Sequence, residues 1–486
     1  MSTSTPSRTA PHPLRPGLRP NLRPSLRRGS RPSARRLRPG ADVVVPLVAA
    51  GILATVYTVL ALRQHEMLMT SGYDLGIFVQ EVRSYALGHL PVSTLKGPGF
   101  QLLGDHFSPA VAVLAPFYRL FPCAQTLLVA QALLLALGVM PLTAWAHRCC
   151  GIWTAIAVAV VYGLSWELAE AVGFDFHEVA LAVPLLAWSL SALGQDRLTA
   201  AVWYAVPLVL VKEDLGLTVA VIGALVAWRG NRILGAAAAL GGVTATLVET
   251  FVVIPAYNAS GTNPYSGQIS IGAGPWHQLA GVLGSEPKLS TLFLLVAPTA
   301  FLALRSPLCL VAVPTLTWRF LADNPAYWGT GYHYSAVLAP VAVAAMVDAL
   351  SRRPPGARWL PCSVAVAVTV VLVGSHPLSR LWQPSLWEES PRVAAAHRLL
   401  ARIPDDATVS ASNWLAPQLT SRDDVSLFAG TDLDRPRPEW IVVDTGSPLT
   451  FPIGPAEQIR ALDAARRDGY RLLAEDQGVY LLRAAP

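Results

Sequence analysis

Between residues 43 and 374 the chain carries eleven apolar, nearly uncharged runs, at 43–62, 124–146, 152–166, 179–193, 198–211, 215–228, 233–254, 289–304, 306–318, 334–347 and 359–374. Inside hydrocarbon no water can satisfy a backbone amide, so such runs cross a bilayer only as helices. They predict an all-α polytopic membrane protein with about 11 transmembrane helices. Several runs fall short of the roughly 17 residues a span needs, so those helices must borrow polar flanks or pack against longer neighbours. Composition agrees: 53% of residues are hydrophobic and 14% charged, where soluble proteins carry about 25% charge. A plain soluble enzyme is excluded. The charge is also segregated, with 11 charged residues before position 43 and 27 after position 374. Three parts follow: a tail over 1–42, a transmembrane domain over 43–374 and a small soluble domain over 375–486.

The tail holds ten arginines, no acidic residue before Asp42, and a four-residue beat, LRPG-LRPN-LRPS-LRRG. Its prolines forbid a regular helix, which predicts disorder. Such a tail can touch anionic headgroups or nucleic acid, but abutting the first span it reads first as a cytoplasmic topology signal, and no nucleic-acid partner is expected. The run 43–62 is long enough to span and no small-x-small cleavage site follows closely, so a retained anchor is expected rather than a cleaved signal peptide. The five cysteines, Cys123, Cys149, Cys150, Cys309 and Cys362, lie in or beside apolar runs without a C-x-x-C spacing. Neither disulfides nor zinc-thiolate chemistry is expected.

Fixing the tail inside places His147-Arg148, Arg197, Arg229 to Arg232, Arg305 and Arg352-Arg353-Arg358 on the cytoplasmic side of the plasma membrane. An odd number of spans then puts the carboxy terminus outside. The apolar stretch 109–121 would invert this pattern as a span, so it is assigned to a surface helix in an external first loop, 63–123. With that topology the external loops collect Asp74, Glu81, Asp105 and His106, then Glu167, Glu170, Asp175, His177 and Glu178, then Lys212-Glu213-Asp214, and finally Arg319, Asp323, Tyr332 and His333. Ionisable residues at membrane level are expensive, and a concentration on one side marks a candidate site.

The clusters differ in weight. Glu81 and Arg83 fit a surface face, Glu167 and Glu170 fit a helix cap, and Lys212-Glu213-Asp214 is as readily a solvated helix junction as a functional triplet. Asp74, Asp105-His106 and Asp175-x-His177-Glu178 are stronger, because carboxylates and imidazoles from two loops can converge on a divalent cation or a metal-bound phosphate. Arg319 and His333 suit a lipid phosphate, although snorkelling and aromatic-belt packing explain them too. No Walker loop, G-x-G-x-x-G, H-E-x-x-H or G-x-S-x-G motif is present, so ATP-driven transport and serine hydrolysis have no support. After residue 385 the strand-like runs ATVSAS, DVSLFA, EWIVVD and GVYLLR, with a helical stretch PAEQIRALDAARRDGY, predict a small α/β domain. It reads as a lid, an acceptor-binding module or a structural appendage.

At YDLGIFVQ, GDHFSPAVAVLAPFYRLFP, FDFHEVALAVPLLAW, LVKEDLGL, VSASNWLAPQLTSR and DGYRLLAEDQGVYLLR the chain resembles a family of predicted bacterial polytopic membrane proteins of unknown function, from about residue 70 to the end. More distantly, the order of parts over roughly 43–230 is similar to the GT-C superfamily of polyprenyl-phosphate-sugar glycosyltransferases. That resemblance implies a first-loop acid at Asp74 in YDLG, an acid before a proline segment at Asp105 in DHFSP, and an acid between the third and fourth spans at Asp175 in FDFHE. The sequence departs from it in having DHFSP in place of a double-proline motif and no adjacent acidic pair in the first loop.

The leading expectation is an inverting glycosyl or related transferase that takes a polyprenyl-phosphate sugar from the outer leaflet. Asp74 and Asp105 are the expected catalytic residues, with Asp74 as base; His106, Asp175, His177 and Glu178 are expected to hold a divalent cation, Mg or Mn, or the donor phosphate. Lys212, Glu213, Arg319, Tyr332 and His333 complete the expected substrate contacts, Lys212 or Arg319 meeting the phosphate. The alternative is a non-catalytic transporter or flippase, which should show repeat symmetry and broken helices with polar residues near the midplane. No convincing internal repeat is seen, and the polar residues favour the helix ends.

Overall fold

The computed structural model describes residues 1–4, 40–268, 274–429, 437–447 and 450–485. The chain divides into Met1–Gly40 and Ala41–Pro486, and every helix and strand among the described residues lies in the second part. The expectation of a disordered tail concerns residues 5–39, which lie outside the described residues.

Each of the eleven apolar runs is helical along most of its length. Length is another matter. Among the described residues four helices are long and apolar enough to cross a membrane, Asp42–Glu66, Ala124–Cys150, Arg232–Tyr257 and Pro355–Val373. The pairs Ile152–Gly163 with Trp166–Gly173 and Trp276–Leu283 with Glu286–Thr299, bent by 40° and 78°, raise the number to six if each is one broken span. The expected eleven is therefore not reached by length. Val179–Gly194 and Leu215–Trp228 have 16 and 14 residues, roughly 24 and 21 Å of rise, because a charged or strongly polar cluster starts each of them.

Those starts meet. Glu178 precedes Val179–Gly194, Lys212-Glu213-Asp214 precedes Leu215–Trp228, and His333-Tyr334 lies shortly before Leu338–Ser351. Lys212 Nζ donates to Glu178 Oε1 at 2.6 Å, drawing the first two starts together. At the far ends of the same helices, Arg229 Nη1 donates to Leu193 O (2.6 Å) and Asp196 Oδ1 (2.9 Å), and Arg352 donates to Asp348 Oδ2 (2.7 Å) and Arg305 O (2.9 Å). Arg148 reaches Gln195 Oε1 at 2.8 Å. Arg148, Arg229, Arg305 and Arg352 thus gather at one end of these helices, and Glu178, Lys212, Glu213 and Asp214 at the other.

The helices Leu215–Trp228 and Arg232–Val248 pack with their backbones in contact. Gly216 and Gly223 face Gly242 and Gly235, and a Cβ added to Gly223 would stand 2.5 Å from Ala239 N. Small residues in register permit this approach, which aligned apolar side chains would prevent.

The carboxy-terminal part holds a five-stranded sheet of β1 (Thr408–Ala411), β2 (Asp424–Leu427), β3 (Trp440–Asp444), β4 (Tyr470–Asp476) and β5 (Val479–Ala484), in the order β2-β1-β3-β5-β4. β1 runs parallel to β2 and β3, while β5 runs antiparallel to β3 and β4. All four strand-like runs form strands. β4 was not foreseen; YRLLAED directly continues the helix Pro455–Arg467 and is recruited as the hairpin partner of β5 across Gln477-Gly478, both at positive φ. One sheet face packs on the helix Pro455–Arg467 through Ile441, Val443, Ala461 and Leu462. The other shares a core with the first loop, in which Leu68, Ile77 and Leu95 join Leu415, Leu419 and Val425.

Gly223→Val is expected to force the two glycine-lined helices apart at a cost of about 1–3 kcal/mol, read as a lowered thermal midpoint in detergent. Gly241→Ala, at a position with open space around it, should not lower that midpoint.

Candidate functional site

The segment SGYDLG follows the first helix and winds into one π-helical turn, Gly72–Gly76. Its backbone is gripped from two sides. Ser71 N donates to Asp175 Oδ2 at 2.9 Å, whereas Gly72 N donates to Asn413 O at 2.6 Å and Tyr73 N to Asn413 Oδ1 at 2.8 Å. Gly72 is required by this fit, since a Cβ there would lie 2.6 Å from that of Ala416. The turn holds Asp74 with 30% of its side chain exposed, its Oδ2 accepting from Ser71 Oγ at 2.8 Å and its Oδ1 3.4 Å from His177 Nε2.

Asp175 is buried behind it. Burial and then the Asp74 carboxylate push Asp175 well above the usual carboxylate range. The loop carrying it is pinned by Gln131, whose Nε2 donates to Ala171 O and Asp175 O, both at 2.9 Å, and whose Oε1 accepts from His177 N. The His177 ring stacks on His333 at 3.5 Å between centroids and on Phe174 at 5.2 Å. Burial, then His177 and the cations around it, hold His333 far below its ordinary value and therefore neutral. Tyr332, 43% exposed, stands edge-on to Phe174 at 4.9 Å.

Beside this centre lies a chain of charge pairs. Burial would raise Glu178, yet Lys212 draws it down to about 2, and the same carboxylate with Glu213 and Asp214 lifts Lys212 above its ordinary range against its own burial. His106 Nδ1 lies 2.7 Å from Glu213 Oε1, and Glu213 Oε2 accepts from Phe107 N at 3.1 Å. The His106 ring stacks on Tyr265 at 4.5 Å. Asp105 pairs with Lys96 and accepts from Tyr265 Oη at 3.1 Å. Burial pushes Asp214 up to about 6, with Trp318 Nε1 donating to its Oδ2 at 2.8 Å. Glu81 is fully buried rather than on a surface face, and burial with nearby Glu178 pushes its carboxyl well above the usual range.

The expected site residues therefore separate. Asp74, Asp175, His177 and His333 converge; Asp105, His106, Glu178, Lys212 and Glu213 form the adjoining pairs. The expected metal set does not assemble as one centre, because His106 is paired with Glu213 and Glu178 with Lys212, while only His177 reaches Asp74. Among the described residues no three His, Cys, Asp or Glu side chains are arranged to hold a metal ion. Arg319 departs from its expected phosphate role. It is wholly buried, and its guanidinium is spent on Tyr327 O (2.8 Å), Gly329 O (2.8 Å) and Ser335 Oγ (3.0 Å), stapling the loop that carries Tyr332 and His333. Sequence reading missed Ser71, Gln131, Tyr265 and Asn413. Asn413 lies inside a quoted motif and Ser71 two residues before another, but nothing local in SGYDLG or SASNWL says that the two segments touch.

Residues 64–481 match the description of a predicted membrane protein family, DUF2079. The chain belongs to that family. No functionally curated relative matches in sequence. In fold the chain is similar to ArnT from Cupriavidus metallidurans bound to undecaprenyl phosphate, with a TM-score of 0.52 at 16% identity over 90% of this chain and 99% of that one. The apo form of the same ArnT gives 0.54 at 15% identity over 92% and 100%. This family member is therefore a membrane-embedded protein whose fold is similar to that of ArnT.

Two outcomes follow from the buried charges. Lys212→Met strands the Glu178 carboxylate and is expected to cost about 3–5 kcal/mol, most of which Lys212→Met with Glu178→Gln should recover in thermal unfolding. The folded state holds the Asp214 proton up to about pH 6, above the unfolded value near 3.9. Stability from this group is thus full below about pH 4 and lost as pH rises through 6. Asp214→Asn should be more stable than the parent by about 3 kcal/mol above pH 6, and no more stable below pH 4.

Proposed function

We propose that this protein is an inverting transferase that takes a polyprenyl-phosphate-linked sugar at the Asp74 end of the molecule. The chain would thread the plasma membrane in about eleven passes, from a cytoplasmic tail over 1–42 through the membrane domain 43–374 to an extracytoplasmic domain over 375–486. The observation that carries the reading is the unequal pair of carboxylates: Asp175 is buried, whereas Asp74 is partly open and oriented by Ser71 and His177. Two acids in unlike environments commonly take separate roles, and the open, oriented one is the proton acceptor here. The shared fold with ArnT, crystallised with undecaprenyl phosphate, supports a lipid-phosphate partner.

In the proposed step an acceptor hydroxyl oxygen attacks the anomeric carbon while the carbon–oxygen bond to phosphate breaks, the bonding pair leaving on the phosphate oxygen. The hydroxyl proton passes to Asp74. Negative charge developing on the phosphate meets Lys212 and His106, which their partners Glu178 and Glu213 hold in place before substrate arrives, so no reorganisation is needed at that moment. Asp105, tied to Lys96 and Tyr265, positions the loop that carries His106. Arg319 acts one layer back, holding the exposed Tyr332 at the mouth.

The test uses the full chain in nanodiscs. Undecaprenyl phosphate should raise the thermal midpoint of the parent and of Asp74→Asn alike, while transfer from a panel of polyprenyl-phosphate sugars falls by about 10²–10⁴-fold in Asp74→Asn. Undiminished transfer in that variant, or no stabilisation by any polyprenyl phosphate, would overturn the reading.

A further inference from the structure

At the end opposite Asp74, the helix termini Gly194, Trp228 and Asp348 and the turn at Pro307 border an open depression of about 400 Å³ that Asp196, Arg229 and Arg352 also line. The loops around it contain eight arginines, at 148, 197, 229, 232, 305, 352, 353 and 358, against the two carboxylates Asp196 and Asp348. A topology signal needs only this excess of charge. It does not need the arginines fixed around a hollow.

Two of them, Arg229 and Arg352, are fixed at its wall. Asp348 is 4% exposed within the last turn of Leu338–Ser351; Ser306 Oγ donates to it, and it holds Arg352 Nη1 at 2.7 Å. Arg229 is 15% exposed and uses Nη1 for both of its bonds, to Leu193 O and Asp196 Oδ1. A buried carboxylate that orients a half-exposed guanidinium at a cavity wall builds an anion site in advance, and a guanidinium matches phosphate oxygens in pairs. The surroundings are those of a membrane interface, since Trp228 is 71% exposed, Ile233 87% and Leu304 61%. An amphipathic indole at such a level sits among headgroups.

The geometry points to a phosphate-binding site at this end, distinct from the Asp74 centre, whose ligand is the phosphodiester of an anionic phospholipid or a soluble phosphate ester of the same chemistry. Asp196, 79% exposed on its side chain, competes with that ligand for Arg229. Asp348, being buried, only orients Arg352.

The assay is independent of any transferase activity. The full chain is placed in nanodiscs of phosphatidylcholine alone or mixed with phosphatidylglycerol, with a third arm of phosphatidylcholine plus soluble glycerol 1-phosphate; thermal midpoint and lipid retained after delipidating washes are measured. Phosphatidylglycerol should raise the midpoint and be retained preferentially, with retention falling about fivefold in Arg352→Gln, the worth of one basic residue at an anionic surface. Asp196→Asn should change retention in the opposite direction, which general damage to the fold cannot imitate. Full stabilisation by glycerol 1-phosphate alone assigns the site to a soluble ester; stabilisation only by phosphatidylglycerol assigns it to lipid. Equal midpoints in all three arms, or retention indifferent to both substitutions, would overturn the proposal.

Discussion

Three consecutive backbone amides, those of Ser71, Gly72 and Tyr73, set the position of everything at the Asp74 end. One is satisfied by a carboxylate between two membrane helices, and two by a single asparagine in the carboxy-terminal sheet domain. Buried amides must be paired, so the turn can form only where both partners are present. The amides thereby transmit the placement of two separate parts of the chain onto one side chain. Asp74 gains its orientation from this grip and from Ser71 Oγ, which turns the same residue toward the carboxylate it positions.

The charge pairs nearby obey a second constraint. Bringing Glu178, Lys212, Glu213 and His106 out of water is costly for each alone, and the cost is offset because each has a partner within 2.7 Å. The pairs stand at the starts of short helices, where a longer apolar segment would carry them into hydrocarbon. Short helices and buried pairs are thus one solution. The polar cluster fixes where the helix must begin, and the longer neighbours, led by Asp42–Glu66 and Ala124–Cys150, cover what the short ones leave open.

What the sequence makes legible is whatever repeats along the chain. Apolar runs and the strand-forming segments after residue 405 are local patterns, and both reappear as elements. Asp74, Asp175 and His177 could be singled out because charged residues are rare near a membrane. Asn413 could not, because an uncharged residue in a soluble-looking stretch carries no such contrast and its partner lies some 340 positions away. Arg319 shows the converse failure. Its charge suggested a phosphate, but three acceptors supplied by its own loop consume the guanidinium. Span number failed for a third reason: apolar composition predicts helix, while crossing also depends on length, and length is cut by polar starts that only converge in three dimensions.

The carboxy-terminal domain is not a separate appendage. Its second core is not its own, since Leu68, Ile77 and Leu95 from the first loop fill the same cluster as Leu415, Leu419 and Val425. Polar contacts repeat the pattern: Gln80 and Thr94 both donate to Val425 O, Arg83 donates to Asp423 O, and Gln418 donates to His65 O. A loop of this length without its own core would sample many conformations and lose the geometry around Asp74. Docking against a sheet removes that freedom at the very segment where the partly open carboxylate must be held. The carboxy-terminal domain therefore acts on the site through the backbone, by ordering the loop that bears it.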